Sequence, residues 1–219
     1  MTITPKIFPT LIASIEHTLD SQAESITLLD QAIGDGDHLH NLQRGLQVLQ
    51  ANSTAISLLS WPEAWQKIGM LLMSAVGGAS GSLYATLFLS LHKHCHEQCV
   101  DLAYFSQLFS LAIAAVKQRG KADVGEKTML DVLIPVANSL QQGAETDEDL
   151  TLVLDSICQV AATGAEATRN MLATKGRASF LGERSRGHID AGAKTAELMI
   201  TAIATVLKSE IANTDKTLI

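Results

Sequence analysis

The residues best suited to chemistry lie in one short stretch, Asp30-Gln31-Ala32-Ile33-Gly34-Asp35-Gly36-Asp37-His38-Leu39-His40-Asn41. Asp30, Asp35 and Asp37 stand at i, i+5 and i+7. Neighbours on a helix face recur at i+3 and i+4, so these acids do not form a helical charge stripe. The glycines between them suit a loop that doubles back and lets three carboxylates converge. Carboxylates held together repel unless a cation lies between them, and oxygen-only ligands suit a hard ion such as Mg²⁺ or Ca²⁺. A solvated acidic turn accounts for the same spacing. The EF-hand calcium loop does not, because the alternating acids stop at Asp37 and no Glu closes the loop.

Three other stretches carry chemical potential. Gly77-Gly78-Ala79-Ser80-Gly81 precedes a helix, and small residues there let backbone amides approach an anion; a tight helix-packing turn explains it equally well. Gly120-Lys121-Ala122-Asp123-Val124-Gly125-Glu126-Lys127-Thr128 nearly spells the phosphate-binding pattern G-x-x-x-x-G-K-[ST], with Glu126 inserted before the lysine. That motif must follow a buried strand, and Leu111 to Arg119 reads as helix, so a P-loop fold is rejected, although Lys127 or its neighbours could still face phosphates. The segment 175–192, Lys175 to Gly192, is long for a loop in a compact domain, and its Arg177 offers a planar fork for a phosphate; a solvated lid is the alternative. A separate cluster, His92-Lys93-His94-Cys95-His96-Glu97-Gln98-Cys99, would place His92, Cys95 and Cys99 on one helical face, which admits Zn²⁺ without an obvious fourth ligand.

These stretches punctuate a chain with helical periodicity throughout and no convincing strand. Phe8, Leu11, Ile12, Ile15, Leu19 and Ile26 predict one long first helix from about residue 9 to 33, ended by Gly34. A short second helix follows the acidic loop. Ser60-Trp61-Pro62-Glu63 is a capping-box start for a third, running to about residue 75. The remaining helices are expected at 83–95, 102–118, 128–142 (with a kink at Pro135), 147–173 and 193–211. In an up-and-down arrangement alternate connections share one end. The unusual loops follow helices one, three, five and seven, so all four should meet at one end of one bundle. A carboxylate cluster, an anion cradle and several basic groups together suit a metal-bound nucleotide polyphosphate.

The totals agree with this picture. The 219 residues suffice for one large domain, read as 1–212 with a polar, frayed tail at 213–219. Aromatics are only 4% against 47% hydrophobic residues overall, and there are four prolines, which favours helices packed through small side chains. The net charge of −7 argues against nucleic acid or an anionic membrane as the main partner. No apolar run nears the ~20 residues that cross a bilayer. No signal peptide is evident, and three cysteines fit a reducing cytoplasm.

The four loops, taken in order, resemble those of the ADP-binding L subunits of bacterial dihydroxyacetone kinases. The shared motifs are Gly34-Asp35-Gly36-Asp37-His38 with Asn41, Gly77 to Gly81, Gly125-Glu126-Lys127-Thr128-Met129-Leu130-Asp131 and Gly176 to Gly192, spanning nearly the whole chain. The resemblance implies an all-α fold, an eight-helix antiparallel up-and-down barrel with the nucleotide site in the loops at one end. It implies that Asp30, Asp35 and Asp37 hold two Mg²⁺ ions bridging the phosphates of ADP or ATP. His38, Asn41, Gly78, Ala79, Ser80, Gly120, Thr128, Met129, Asp190, Ala191 and Gly192 would contact the nucleotide, Gly120 and Met129 bordering the adenine. Arg177 would bind nucleotide and serve catalysis. Local departures are Leu39 for a glycine, altered His40 and Leu42, Glu126 for an aspartate, and Ser82 and Ala191 for prolines. The implied partners are a K subunit carrying dihydroxyacetone and a phosphohistidine subunit M; a homodimer stays open. The same loops would serve an ATP-dependent kinase half for another small ketose or polyol, or an ADP-liganded regulatory module.

Overall fold

The structure is a computed structural model that describes residues 3–97 and 100–217, with side chains as far as Asn213. Among the described residues it is all-α. A 3₁₀ turn at Pro5–Ile7 leads into α1 (Phe8–Ser21), α2 (Ala23–Ile33), α3 (His38–Ser57), α4 (Trp61–Ala75), α5 (Gly78–His94), α6 (Leu102–Gly120), α7 (Leu130–Glu145), α8 (Leu150–Ala167) and α9 (Ala191–Thr217), with 3₁₀ segments at Thr168–Asn170 and Arg177–Ser185. From α3 to α9 each helix packs on the next, α1 packs on α3, and α9 returns to α1, so the order of contacts closes on itself.

Small residues make this packing possible. Ala64, Ala85, Ala112, Ala161, Ala193 and Ala204 are buried where helices meet, between layers built from Leu19, Ile26, Ile56, Val116, Val132 and Val153. Each fully buried aliphatic of that size contributes about 1.5–3 kcal/mol by leaving water. Pro135 lies inside α7 and cannot donate to the Asp131 carbonyl four residues back. Gly164 of α8 packs where that carbonyl is left: a Cβ on Gly164 would sit 2.3 Å from the Asp131 O.

Several boundaries differ from the sequence reading. The first long helix is two, broken at Gln22, whose amide bonds to the carbonyls of Leu19 and Asp20. The second is 20 residues long rather than short, because Asn52 and Ser53 bond back to Val48 and Gln50 and so do not interrupt it. The Ser60 start holds: its hydroxyl and amide both reach Glu63, as a capping box requires. α6 runs on through Gly120, and the left-handed residue after it is Lys121. The seventh expected helix stops at Ala167, and α9 carries helix past residue 213 to Thr217, where a frayed tail was expected. No described helix is long and apolar enough to cross a membrane.

Candidate functional site

The architecture points four helix N-termini at one place. α3, α5, α7 and α9 begin with His38, Gly78, Leu130 and Ala191, and all four residues line a single cavity of about 450 Å³. A helix N-terminus has free amides and roughly half a positive charge, so four of them together favour an anion. Gly78, Ala79 and Ser80 are the first turn of α5 rather than a loop before it.

At the mouth of this cavity stands the acidic cluster. Asp30 projects from the last turn of α2, is buried, and accepts the His38 amide on Oδ2 at 3.0 Å. Gly34 permits that placement, since a Cβ there would lie 2.1 Å from Asp30 Oδ1. The chain then turns through Gly36 (φ +78°) to bring Asp35 and Asp37 alongside. Ligand oxygens of Asp30, Asp35 and Asp37 all lie within 4.8 Å of one another. Three carboxylates so close, with no histidine or thiol among them, fit a hard divalent cation such as Mg²⁺. Arg177 supplies the positive charge that faces them: its Nε is 2.5 Å from Asp35 Oδ2, on a side chain 72% exposed.

His38 anchors the floor. Its Nε2 lies 2.9 Å from Thr195 Oγ1 and its Nδ1 3.2 Å from Ser80 Oγ. Thr195 gives its hydroxyl hydrogen to the Gly192 carbonyl, so it accepts from Nε2–H, and Ser80 donates to Nδ1. Burial lowers the His38 pKa against the upward pull of Asp30, Asp37 and Asp35, which favours this neutral ring. Asp190 caps α9 by accepting the Ala193 amide at 2.8 Å, while its own amide donates to Thr168 Oγ1. Burial pushes the Asp190 carboxyl up to about 6, with the Ala193 amide and Lys127 pulling the other way. Leu83, Val116, Gly120 and Met129 add apolar surface to the same cavity, suited to a flat base.

Loops three and four are stitched together. Glu126 accepts the Asp123 amide on one oxygen, and the Thr174 hydroxyl and the Lys175 ammonium on the other. Asp131 is buried and accepts the amides of Gly125 and Thr128, fixing the turn before α7. Within segment 175–192, residues Arg177–Ser185 form two 3₁₀ turns about Gly182 rather than coil.

A model of the DAK2 domain matches residues 32–205. The chain belongs to the DAK2 domain family. It is 42% identical over 175 residues to the PEP-dependent dihydroxyacetone kinase 1 ADP-binding subunit DhaL of Listeria innocua, covering 80% of this chain and 83% of that one. It is 38% identical over 189 residues to the corresponding Escherichia coli subunit, covering 86% and 90%. These are the relatives that the four loop motifs resemble. The native dihydroxyacetone kinase of C. freundii superposes with a TM-score of 0.71 at 22% identity over 91% of this chain, and the same kinase with AMP-PNP and Mg²⁺ with 0.70 over 94%; at that identity the likeness concerns the fold. The chain spans about a third of the length of that solved kinase (34%).

Each residue that the family resemblance implies for the nucleotide and metal site lines this cavity: Asp30, Asp35, Asp37, His38, Asn41, Gly78, Ala79, Ser80, Gly120, Thr128, Met129, Arg177, Asp190, Ala191 and Gly192. Two expectations need correction. Lys127 does not offer its ammonium to a phosphate; it is 1% exposed and donates to the carbonyls of Thr168 and His188. The zinc face does not form, because α5 ends at His94, Cys95 turns extended, and the His92 and His94 rings bond to the carbonyls of Pro62 and Ser90; Cys99 lies outside the described residues. Among the described residues only the aspartate triad groups as a metal site. Sequence reading missed Thr195, which touches His38 from five residues beyond Asp190. It also gave Asp131 no role, though Thr128-x-x-Asp131 has the spacing of a helix cap.

Proposed function

We propose that this chain is the nucleotide-binding half of a split dihydroxyacetone kinase. One observation carries the reading: an oxygen-only carboxylate triad and four helix N-termini face one cavity. The triad suits a cation and the helix ends suit an anion, and a metal-bound polyphosphate is both. Asp30, Asp35 and Asp37 would hold Mg²⁺, two ions by family resemblance, which when bound neutralises phosphate charge during transfer. The first turn of α5 would take phosphate oxygens on its amides and on Ser80, whose hydroxyl the neutral His38 orients. Leu83, Val116 and Met129 would flank the adenine. Arg177 needs only to leave an exposed ion pair, worth about 0–1 kcal/mol, to reach a terminal phosphate.

The cavity is accounted for by one nucleotide, so the phosphoryl acceptor must come from outside. In this reading it is dihydroxyacetone on a separate K subunit docking at the mouth, where Phe180, 88% exposed three residues from Arg177, offers an apolar contact. The relatives named above are PEP-dependent, which favours a cytoplasmic phosphohistidine subunit M as donor to a retained ADP. Reconstitution tests this. Neither ATP nor phosphoenolpyruvate should support dihydroxyacetone phosphorylation by the chain alone; adding K, with M and its donor, should. Turnover by the isolated chain would overturn the split-kinase reading. Activity with K and ATP but without M would make it an ATP-dependent kinase half.

A further inference from the structure

Lys127 borders the cavity but is a buried cation whose ammonium is taken up by backbone. It lies at φ +60°, a left-handed position that a non-glycine residue adopts at a cost of about 1–2 kcal/mol. Its ammonium donates to two backbone carbonyls, those of Thr168 after α8 and of His188 in loop four. Neither is a carboxylate, so no direct ion pair compensates its burial. Burial lowers the pKa of the lysine, as do Arg169 and Arg186, and the negative charge of Asp190 and Asp131 acts the other way. Burying an ammonium is unfavourable unless its hydrogen bonds and local charge are well arranged.

What the ammonium joins gives it a purpose. Thr128 and Met129, the next two residues, line the cavity and lead into α7. Thr168, whose carbonyl takes one bond, gives its side-chain oxygen to the Asp190 amide. His188 stands two residues before Asp190, which caps α9 at Ala193. Gly192, in the first turn of α9, comes close to Met129: a Cβ there would lie 3.8 Å from its amide nitrogen. One side chain thus fixes the loop before α7 against the start of α9, both of which line the cavity that holds the aspartate triad.

We propose that Lys127 is a positioning residue whose ammonium clamps the Thr168 and His188 carbonyls and so sets Thr128, Met129 and Asp190–Gly192 as one wall of the nucleotide pocket. The proposal rests on the nucleotide-site reading for its functional consequence but not for its structural one. It assigns no phosphate contact to the lysine, in contrast to the motif its sequence nearly matches.

The test compares wild type with Lys127→Met and Lys127→Gln by hydrogen–deuterium exchange without ligand and by calorimetric titration with Mg·ADP. In both variants, amide protection should fall in 121–131 and 168–192, and stay at the wild-type level in 30–41 and in α4 and α5. Affinity should drop on the order of tenfold or more, the usual scale for groups that hold a site from behind. Unchanged protection in the two segments overturns the clamp. Loss of protection throughout the chain also overturns it, since Lys127 would then support the fold at large. Local loss of protection with wild-type affinity removes its role in the pocket. If wild type itself fails to bind Mg·ADP, the nucleotide reading falls, while the exchange pattern still decides the clamp.

Discussion

Substituting Gly34 by alanine separates where the triad is held from how much charge it carries. A Cβ at position 34 would lie 2.1 Å from Asp30 Oδ1 and 2.8 Å from the Asp30 carbonyl oxygen. The carboxylate can rotate away but the carbonyl belongs to the last turn of α2 and cannot. The φ at Gly34 is −127°, so no left-handed turn is lost and the collision is the contact to read. Overpacking of this kind costs about 1–3 kcal/mol. For a chain of 219 residues the unfolding entropy is about 0.46 kcal/mol/K, so the melting temperature without ligand should fall by about 2–6 °C. Moving Asp30 out of the 4.8 Å cluster should weaken Mg·ADP roughly 10–100-fold, the scale seen when a metal ligand is misdirected. Differential scanning fluorimetry in chelator and calorimetric titration with Mg·ADP read the two effects. Wild-type affinity in Gly34→Ala, with the melting shift present, would refute the placement of Asp30 in the metal set.

Asp35→Asn and Asp37→Asn should each abolish measurable Mg·ADP binding while circular dichroism stays helical, and without metal each should melt no lower than wild type by more than ~1 kcal/mol, because one repulsive charge is gone. Arg177→Ala should cut K-dependent turnover by orders of magnitude and change stability by less than ~1 kcal/mol, since its ion pair with Asp35 is exposed; a coupled assay and a thermal melt decide it. For Asp190 the folded pKa is raised from 3.8 to about 6, so its contribution to stability is present below pH ~4 and lost as pH rises through ~6. Asp190→Asn, in chelator, should therefore gain stability relative to wild type between pH 4 and 7; a constant difference across that range would show that the carboxyl is not perturbed.

The parts of the molecule legible in sequence were those written in spacing. Asp30, Asp35 and Asp37 could be seen to converge because no regular element puts i, i+5 and i+7 side by side unless glycines bend the chain. Counting helices placed four loops at one end without any contact being known. The boundaries that sequence misplaced have local causes. Gln22 breaks α1 from α2 with no glycine or proline to mark it. Gly77 to Gly81 reads as loop, yet Gly77 is an N-cap and the small residues open α5. Leu39 and Leu42, which looked like defects of a turn, are buried on the inner face of α3, while His40 points outward. Lys127 was beyond reach because its partners are carbonyls 41 and 61 residues away, and a carbonyl has no sequence signature.

The most direct test of the central claim is native mass spectrometry of the purified chain, before and after addition of Mg·ADP. The account predicts one ADP per chain, with magnesium retained alongside it, and loss of both when Asp35 and Asp37 are replaced by asparagine. A chain that remains free of nucleotide in Mg·ADP, or that binds ADP equally well in chelator, would contradict a site built from a carboxylate triad and four helix N-termini.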